Sequence, residues 1–260
     1  MAQIVIRELW IYPVKSLGGV RVEEAAITGA GSLSLDREWL VVDENRNKIW
    51  QGDIPRMTLV RVALTPRHLT LDLAGHPTLT IPRDHDGATV DVTMYKRHFA
   101  AVDAGDAAAA WLSAALGQPL RLVRLGDGAH RWDGLNPVHV VSDASLAALN
   151  EALLEQDHEH VAPMRFRPNV VLSSSTAVAP FFEESNPILD FGDARIVLRE
   201  PCVRCQLVNI SLADASRGKQ PLKLIGRLSK DRPHAAPAAF GTYCRAEGTI
   251  LRTGMEATIQ

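Results

Sequence analysis

A chain of 260 residues, 46% hydrophobic and 22% charged, has the make-up of a globular protein with apolar residues enough for one large domain or two small ones. Its formal net charge of −2 and its interspersed acids and bases lack both the basic stripe of a nucleic-acid binder and the charge block of a solvated tail, so no nucleic-acid partner is expected. No stretch offers the roughly 20 apolar residues of a membrane-spanning helix, and the opening segment reaches charge at Arg7 without an apolar signal core, so neither a membrane anchor nor export is expected.

In chain order, the first hundred residues read mostly as strands. Leu69, Leu71 and Leu73 alternate with His68, Thr70 and Asp72, and Val90, Val92 and Met94 alternate likewise, the period of half-buried strands. Gly18-Gly19, Gly29 to Gly31, Glu44-Asn45, Ala74-Gly75 and Asp84 to Gly87 punctuate them as turns. Many short strands with frequent turns suggest a barrel or curled sheet. An alanine-rich helix is predicted over 105–116, with Asp106 in its first turn. A second is predicted over 143–156, capped by Ser142 or Asp143, with Leu146, Leu149, Leu153 and Leu154 along one face. Strands are expected at 170–173, 195–199 and 206–210, and a helix near Pro221. The boundary between the two halves falls loosely within 118–136.

The sharpest local feature is Pro201-Cys202-Val203-Arg204-Cys205 between two strand-like runs. Arg204 beside a thiol favours the thiolate, the nucleophilic and metal-binding form. The plainer reading is two small buried cysteines at a strand turn. A structural zinc site wants four ligands, and only Cys244 and scattered histidines could complete one. A redox dithiol normally opens a helix, whereas 206–210 reads as a strand. The odd count of three cysteines, two of them too close to staple a fold, fits a reducing compartment, and a cytoplasmic location is expected. His158 and His160 could bind a metal, but at a helix end they read as solvated surface. Anion-holding potential lies in separated pieces: Lys15-Ser16, Asp36-Arg37, the run from Arg165 to Asn169, and Arg204.

Together these pieces resemble the MOSC family (molybdenum cofactor sulfurase C-terminal). Tyr12-Pro13-Val14-Lys15-Ser16, Leu35-Asp36-Arg37-Glu38-Trp39 and Ile54-Pro55-Arg56-Met57 are similar to its amino-terminal β-barrel domain. Ser142-Asp143-Ala144-Ser145-Leu146, Phe166-Arg167-Pro168-Asn169, Pro201 to Cys205 and Phe240-Gly241-Thr242-Tyr243 are similar to the MOSC domain itself. The order is right over nearly the whole chain, and the pattern is nearest to amidoxime-reducing components and bacterial reductases of N-hydroxylated bases. The resemblance implies an α+β, β-rich fold in two domains, a barrel-like 1–117 packed on a MOSC domain 118–260.

It also implies a molybdenum cofactor (molybdopterin with Mo) in the cleft between them. Cys205 matches the metal ligand and is thereby the catalytic position, with Arg204 keeping it deprotonated. Lys15, Ser16 and Arg37 match cofactor contacts from the barrel side, and Arg167 and Asn169 from the MOSC side, with Asn136 as a further polar contact. Cys202 is left to packing or tuning. The implied activity is reduction of a small N-hydroxylated or N-oxide substrate. The alternative is a protein that carries the cofactor without turnover. Gly52 stands where the family often has an arginine, which puts one contact in doubt. With no room after Gln260 for an appended ferredoxin domain, electrons are expected from a separate ferredoxin, flavodoxin or cytochrome-type protein.

Overall fold

The alternation around Leu69 and Val92 resolves into strands, and so does most of the chain. The computed structural model describes residues 3–130, 134–185, 188–230, 232 and 236–258. The first half runs through β1 (Gln3–Ile11), β2 (Val20–Val22), β3 (Glu24–Ala26), β4 (Trp39–Val42), β5 (Arg61–Leu64), β6 (His68–Asp72), β7 (Leu79–Pro82), β8 (Thr89–Met94) and β9 (Arg97–Asp103). Helix α1 (Asp106–Leu116), β10 (Arg121–Arg124), β11 (Val138–Ser142), α2 (Asp143–Leu154), β12 (Val170–Ser174) and β13 (Ile188–Asp190) follow. The chain then forms β14 (Ala194–Val203), α3 (Leu222–Leu228), β15 (Ala239–Gly248), β16 (Ile250–Arg252) and β17 (Glu256–Thr258). The fold is β-rich α+β.

The largest sheet has the order β13-β14-β15-β11-β12-β1-β17, with β2 on the flank of β1. Its one parallel pair is β11 with β12, because α2 is the crossover between them. Strand β1 comes from the start of the chain yet lies inside this sheet, antiparallel to β12 on one side (Ile4 opposite Ser174, Leu9 opposite Val170) and to β17 on the other. Ile4, Ile6, Val140, Val170, Leu172 and Ile196 are solvent-free on that surface and form its core. The other half holds the sheet β4-β10-β9-β8 and the meander β5-β6-β7. Ala108, Trp111, Leu112 and Ala115 of α1 pack with Val41, Leu69 and Leu71 into a second core.

Most expected elements are present, and two differ instructively. Residues 206–210, expected as a strand, hold instead a 3-10 turn, Gln206–Asn209. Strand β14 loses its partner where Val203 faces Ala239, and the backbone then closes on itself through Val208 N–H to the Cys205 carbonyl (3.3 Å). With no ladder to join, an apolar run buries only Val208 and Ile210. Helix α2 is capped as expected, Ser142 Oγ accepting from Ser145 N–H at 3.1 Å. Leu149 and Leu153 are buried, but Leu154 lies about 100° further round the helix from Leu153 and is 54% exposed. His158 and His160 are exposed, and no group of three or more His, Cys, Asp and Glu ligands occurs among the described residues. No helix among them is long and apolar enough to cross a membrane.

Candidate functional site

Three turns from distant parts of the chain meet at one place. Ser16, Arg37 and Arg167 have φ of 72°, 55° and 54°, a left-handed backbone that non-glycine residues adopt only when surroundings enforce it. The enforcing bonds are visible. Arg37 N–H donates to the Tyr12 carbonyl (2.8 Å) and Lys15 N–H to the Trp39 carbonyl (2.9 Å). Arg167 N–H donates to the Met164 carbonyl (3.1 Å), and Asn169 N–H to the His139 carbonyl (2.7 Å). Local strain gathered in three turns around one cleft marks the cleft as the place the fold is organised to build.

The cleft encloses about 370 Å³. Among the described residues its walls carry six cations, Lys15, Arg37, Lys48, Arg165, Arg167 and Arg204, and no carboxylate. The thiol of Cys205 is exposed on it, whereas Cys202 and Cys244 are buried. Asp36 is fully buried and ion-paired to Arg37 Nη1. Arg37 Nη1 also donates to Asn169 Oδ1 (3.0 Å) and Nη2 to the Arg167 carbonyl (3.3 Å). Arg167 Nη1 donates to the Leu17 carbonyl (2.5 Å), while its buried Nη2 has no protein partner.

Such crowding of like charge shows in the ionisation of its members. Burial first, then Arg37 and Arg167, pull the Lys15 ammonium down to about 8. Burial likewise takes the Arg167 guanidinium down to about 10, with Arg37 adding to the effect and Tyr12 opposing it. Burial and then Arg204 hold His139 well below the usual histidine range, so it is neutral. Burial is the larger cause in each case, and the neighbouring cations add to it.

The structure brings Lys15, Ser16, Arg37, Arg167, Arg204 and Cys205 together on this one wall. Asn169 is fully buried behind it, giving Nδ2–H to the Trp10 carbonyl (3.0 Å) and taking hydrogen bonds from Arg37 and from His139 N–H. Its contact is with Arg37, not with the cavity. Asn136 lines a neighbouring cavity of about 360 Å³ that shares Lys15, Arg37, Tyr95, His139 and Tyr243 with the cleft. There its Nδ2–H donates to Glu200 (2.8 Å). Arg204 meets a different thiol from the one its sequence position suggests: Nη1 donates to Cys202 Sγ (2.6 Å) and Nη2 to the Phe166 carbonyl (2.9 Å).

At Gly52, a side chain would put its Cβ 2.6 Å from the Trp50 ring, so the flat packing of that indole excludes the family's arginine. Arg217 instead reaches the Gly52 carbonyl from the other half of the chain (2.6 Å). Sequence reasoning missed Lys48, Tyr95 and His139, which have no signature spacing, and gave Tyr243 of the Phe240-Gly241-Thr242-Tyr243 motif no role. Lys48 Nζ lies 4.8 Å from the Trp50 ring centre and 5.0 Å from that of Tyr95, a contact visible only after folding.

Fold and site together define a β-rich protein whose two halves close on a cationic cleft around one accessible thiol. Residues 3–119 match the MOSC N-terminal beta barrel domain and residues 95–257 the MOSC domain, so the chain belongs to the MOSC family. It is 31% identical to mitochondrial amidoxime-reducing component 1 of Homo sapiens, over 94% of this chain and 80% of that protein. It is 28% identical to mitochondrial amidoxime reducing component 2 of Rattus norvegicus, over 85% and 71%. With molybdenum cofactor sulfurase of Danio rerio the identity is 29% over 92% of this chain but only 31% of that protein, so the chain spans about a third of the sulfurases it matches.

Proposed function

We propose that the cleft holds a molybdenum cofactor and that the protein is an oxidoreductase reducing N-hydroxylated or N-oxide compounds. The observation that carries this reading is the wall itself: among the described residues, six cations, no carboxylate and one exposed thiol, with a buried guanidinium nitrogen of Arg167 left without a partner. Those donors fit the group. A soft thiolate suits molybdenum, and guanidinium groups suit a phosphate and a polar pterin. When bound, the cofactor supplies the two-electron redox chemistry, and the protein supplies ligation, orientation and electrostatics.

Each residue then has a physical task. Cys205 is the ligand. Lys15, Arg37, Arg167 and Arg204 offset the anionic charge, and Ser16 adds a short polar contact. Asp36 and Asn169 fix the direction of Arg37 from behind. Lys15 Nζ, buried beside Arg37 and Arg167, is a cation that an anionic group stabilises. Removing one oxygen as water from an N-hydroxylated substrate consumes two electrons and two protons, and the electrons come from a separate ferredoxin, flavodoxin or cytochrome-type protein. The three free thiols fit a reducing compartment, which we take to be the cytoplasm.

The similarity to a third of the cofactor sulfurases favours a second reading, a carrier of the cofactor without turnover. One experiment orders the two. The protein is made in a cofactor-competent host, assayed for molybdenum and pterin, then given benzamidoxime and a chemical one-electron donor. Stoichiometric molybdenum with amidine formation supports the reductase. Molybdenum without turnover leaves the carrier, and no molybdenum or pterin removes both.

A further inference from the structure

Two like-charged guanidinium groups, Arg37 and Arg167, line this cleft, and Asp36 forms an ion pair with Arg37 alone. Arg37 Cζ lies 4.6 Å from the centre of the Tyr12 ring, and Arg167 Cζ lies 4.2 Å from it. Tyr12 does not line the cleft and is 1% exposed. Its backbone is tied to the first arginine's turn, since Tyr12 N–H donates to Asp36 Oδ1 (2.8 Å) and Arg37 N–H to the Tyr12 carbonyl (2.8 Å). Its side chain is tied to the second turn, the hydroxyl donating to the Pro168 carbonyl (3.2 Å). The ring is seated against Gly19, where an added Cβ would stand 2.6 Å from Cε1. Sequence places these groups about 150 residues apart at the extremes, yet one ring touches all of them.

We infer that Tyr12 is a positioning residue whose ring face holds Arg37 and Arg167 together as one anion-gripping pair, with Gly19 as the seat that sets the ring. The physical ground is the negative face of an aromatic ring, which attracts a guanidinium and, being buried, does so without competition from water. Two guanidinium groups that would otherwise repel share one neutral, polarisable support, so both are held at the cleft, with Arg167 Nη2 unpartnered, before any ligand arrives. Such preorganisation lowers the ordering cost of binding. The inference rests on reading the cleft as an anion site.

The test has two arms on the full chain. In the first, inorganic pyrophosphate is titrated calorimetrically into wild type, Tyr12→Phe, Tyr12→Leu and Gly19→Ala. Phe keeps the ring and is expected to bind within about twofold of wild type, whereas Leu is expected to lose about tenfold. Gly19→Ala displaces the ring without removing it, and should fall in the same direction even where Tyr12→Leu does not fold. Combined with Arg37→Ala, Tyr12→Leu should cost clearly less than it does alone. In the second arm, the side-chain Nε–H resonances of Arg37 and Arg167 are followed by NMR. Both should be ring-current shifted in wild type and Tyr12→Phe, and move toward solvent-like values in Tyr12→Leu and Gly19→Ala.

Unchanged resonances in Tyr12→Leu, or shifted resonances with unchanged pyrophosphate affinity, would overturn the inference. So would a loss from Tyr12→Leu that is just as large without Arg37, which would mark a general structural effect. Failure of wild type to bind pyrophosphate would instead remove the anion-site reading, while the NMR arm would still decide what the ring does.

Discussion

At the scale of single residues, the two cysteines of one short motif have opposite surroundings. Cys205 is exposed on the cleft, and Cys202 is solvent-free and accepts a hydrogen bond from Arg204. Cys205→Ser should therefore lose molybdenum while leaving urea-unfolding stability within about 0.5 kcal/mol. Cys202→Ala should do the reverse, retaining metal but losing about 1–3 kcal/mol, because it opens a void and strips an acceptor from a half-buried guanidinium. Equal metal loss in the two variants would point to a shared dithiol. Lys15 provides a pH prediction. An anion stabilises its ammonium form, so binding raises the Lys15 pKa above its free value of about 8. The Lys15 contribution to pyrophosphate affinity is then full below about pH 8 and falls as pH rises through it, with proton uptake by Lys15 on binding near that pH. Calorimetry in buffers of different ionisation enthalpy measures the proton balance, and Lys15→Met should remove the Lys15 share of it, leaving that of pyrophosphate itself.

At the scale of elements, the start of α2 joins a helix cap to a buried acid. Ser142 Oγ caps the helix and also donates to Glu183 Oε2 (2.8 Å), and Ser145 Oγ donates to the same fully buried carboxyl. Burial raises the Glu183 pKa, and the two hydroxyls oppose that rise. Ser142→Ala removes a cap and a hydrogen bond to a buried acid at once, so a loss of about 2–3 kcal/mol in urea unfolding is expected. None of this touches the cleft, so pyrophosphate affinity should be unmoved. A parallel loss of affinity would mean that the two halves communicate through α2.

At the scale of the whole molecule, the position of β1 decides how separable the halves are. The strand lies between β12 and β17 and contributes Ile4, Ile6 and Leu9 to the core of the large sheet. A fragment of residues 118–260 would expose both neighbouring edges and a row of apolar side chains. It is expected to lack a dispersed NMR spectrum and near-ultraviolet circular dichroism, and to regain both when the 1–117 piece is co-expressed. A well-folded isolated fragment would show that β1 is dispensable. The cleft makes the same demand, since Lys15 and Arg37 come from one half and Arg167 and Cys205 from the other.

Much of this was legible in the sequence because it is local. Period-two alternation marks β6 and β8, Ser142 marks the start of α2, and the ordered short motifs mark the family and bring Lys15, Ser16, Arg37, Arg167, Arg204 and Cys205 forward as candidates. Local signals failed where the answer depends on what lies opposite. The run after Cys205 has strand composition, but no strand was left to pair with it, so it coils into a 3-10 turn. Asn169 looks like a ligand contact and instead braces Arg37, and Arg204 finds Cys202 rather than its immediate neighbour. Lys48, Tyr95 and His139 carry no spacing that announces a site, and they reach the cleft only because two sheets meet there. The sequence by itself determined most of the elements and which chemistry is present, since these follow from near neighbours along the chain. Which charges stand together, which thiol is open and which ring supports two arginines were decided by tertiary structure, because burial and through-space distance exist only once distant segments are packed.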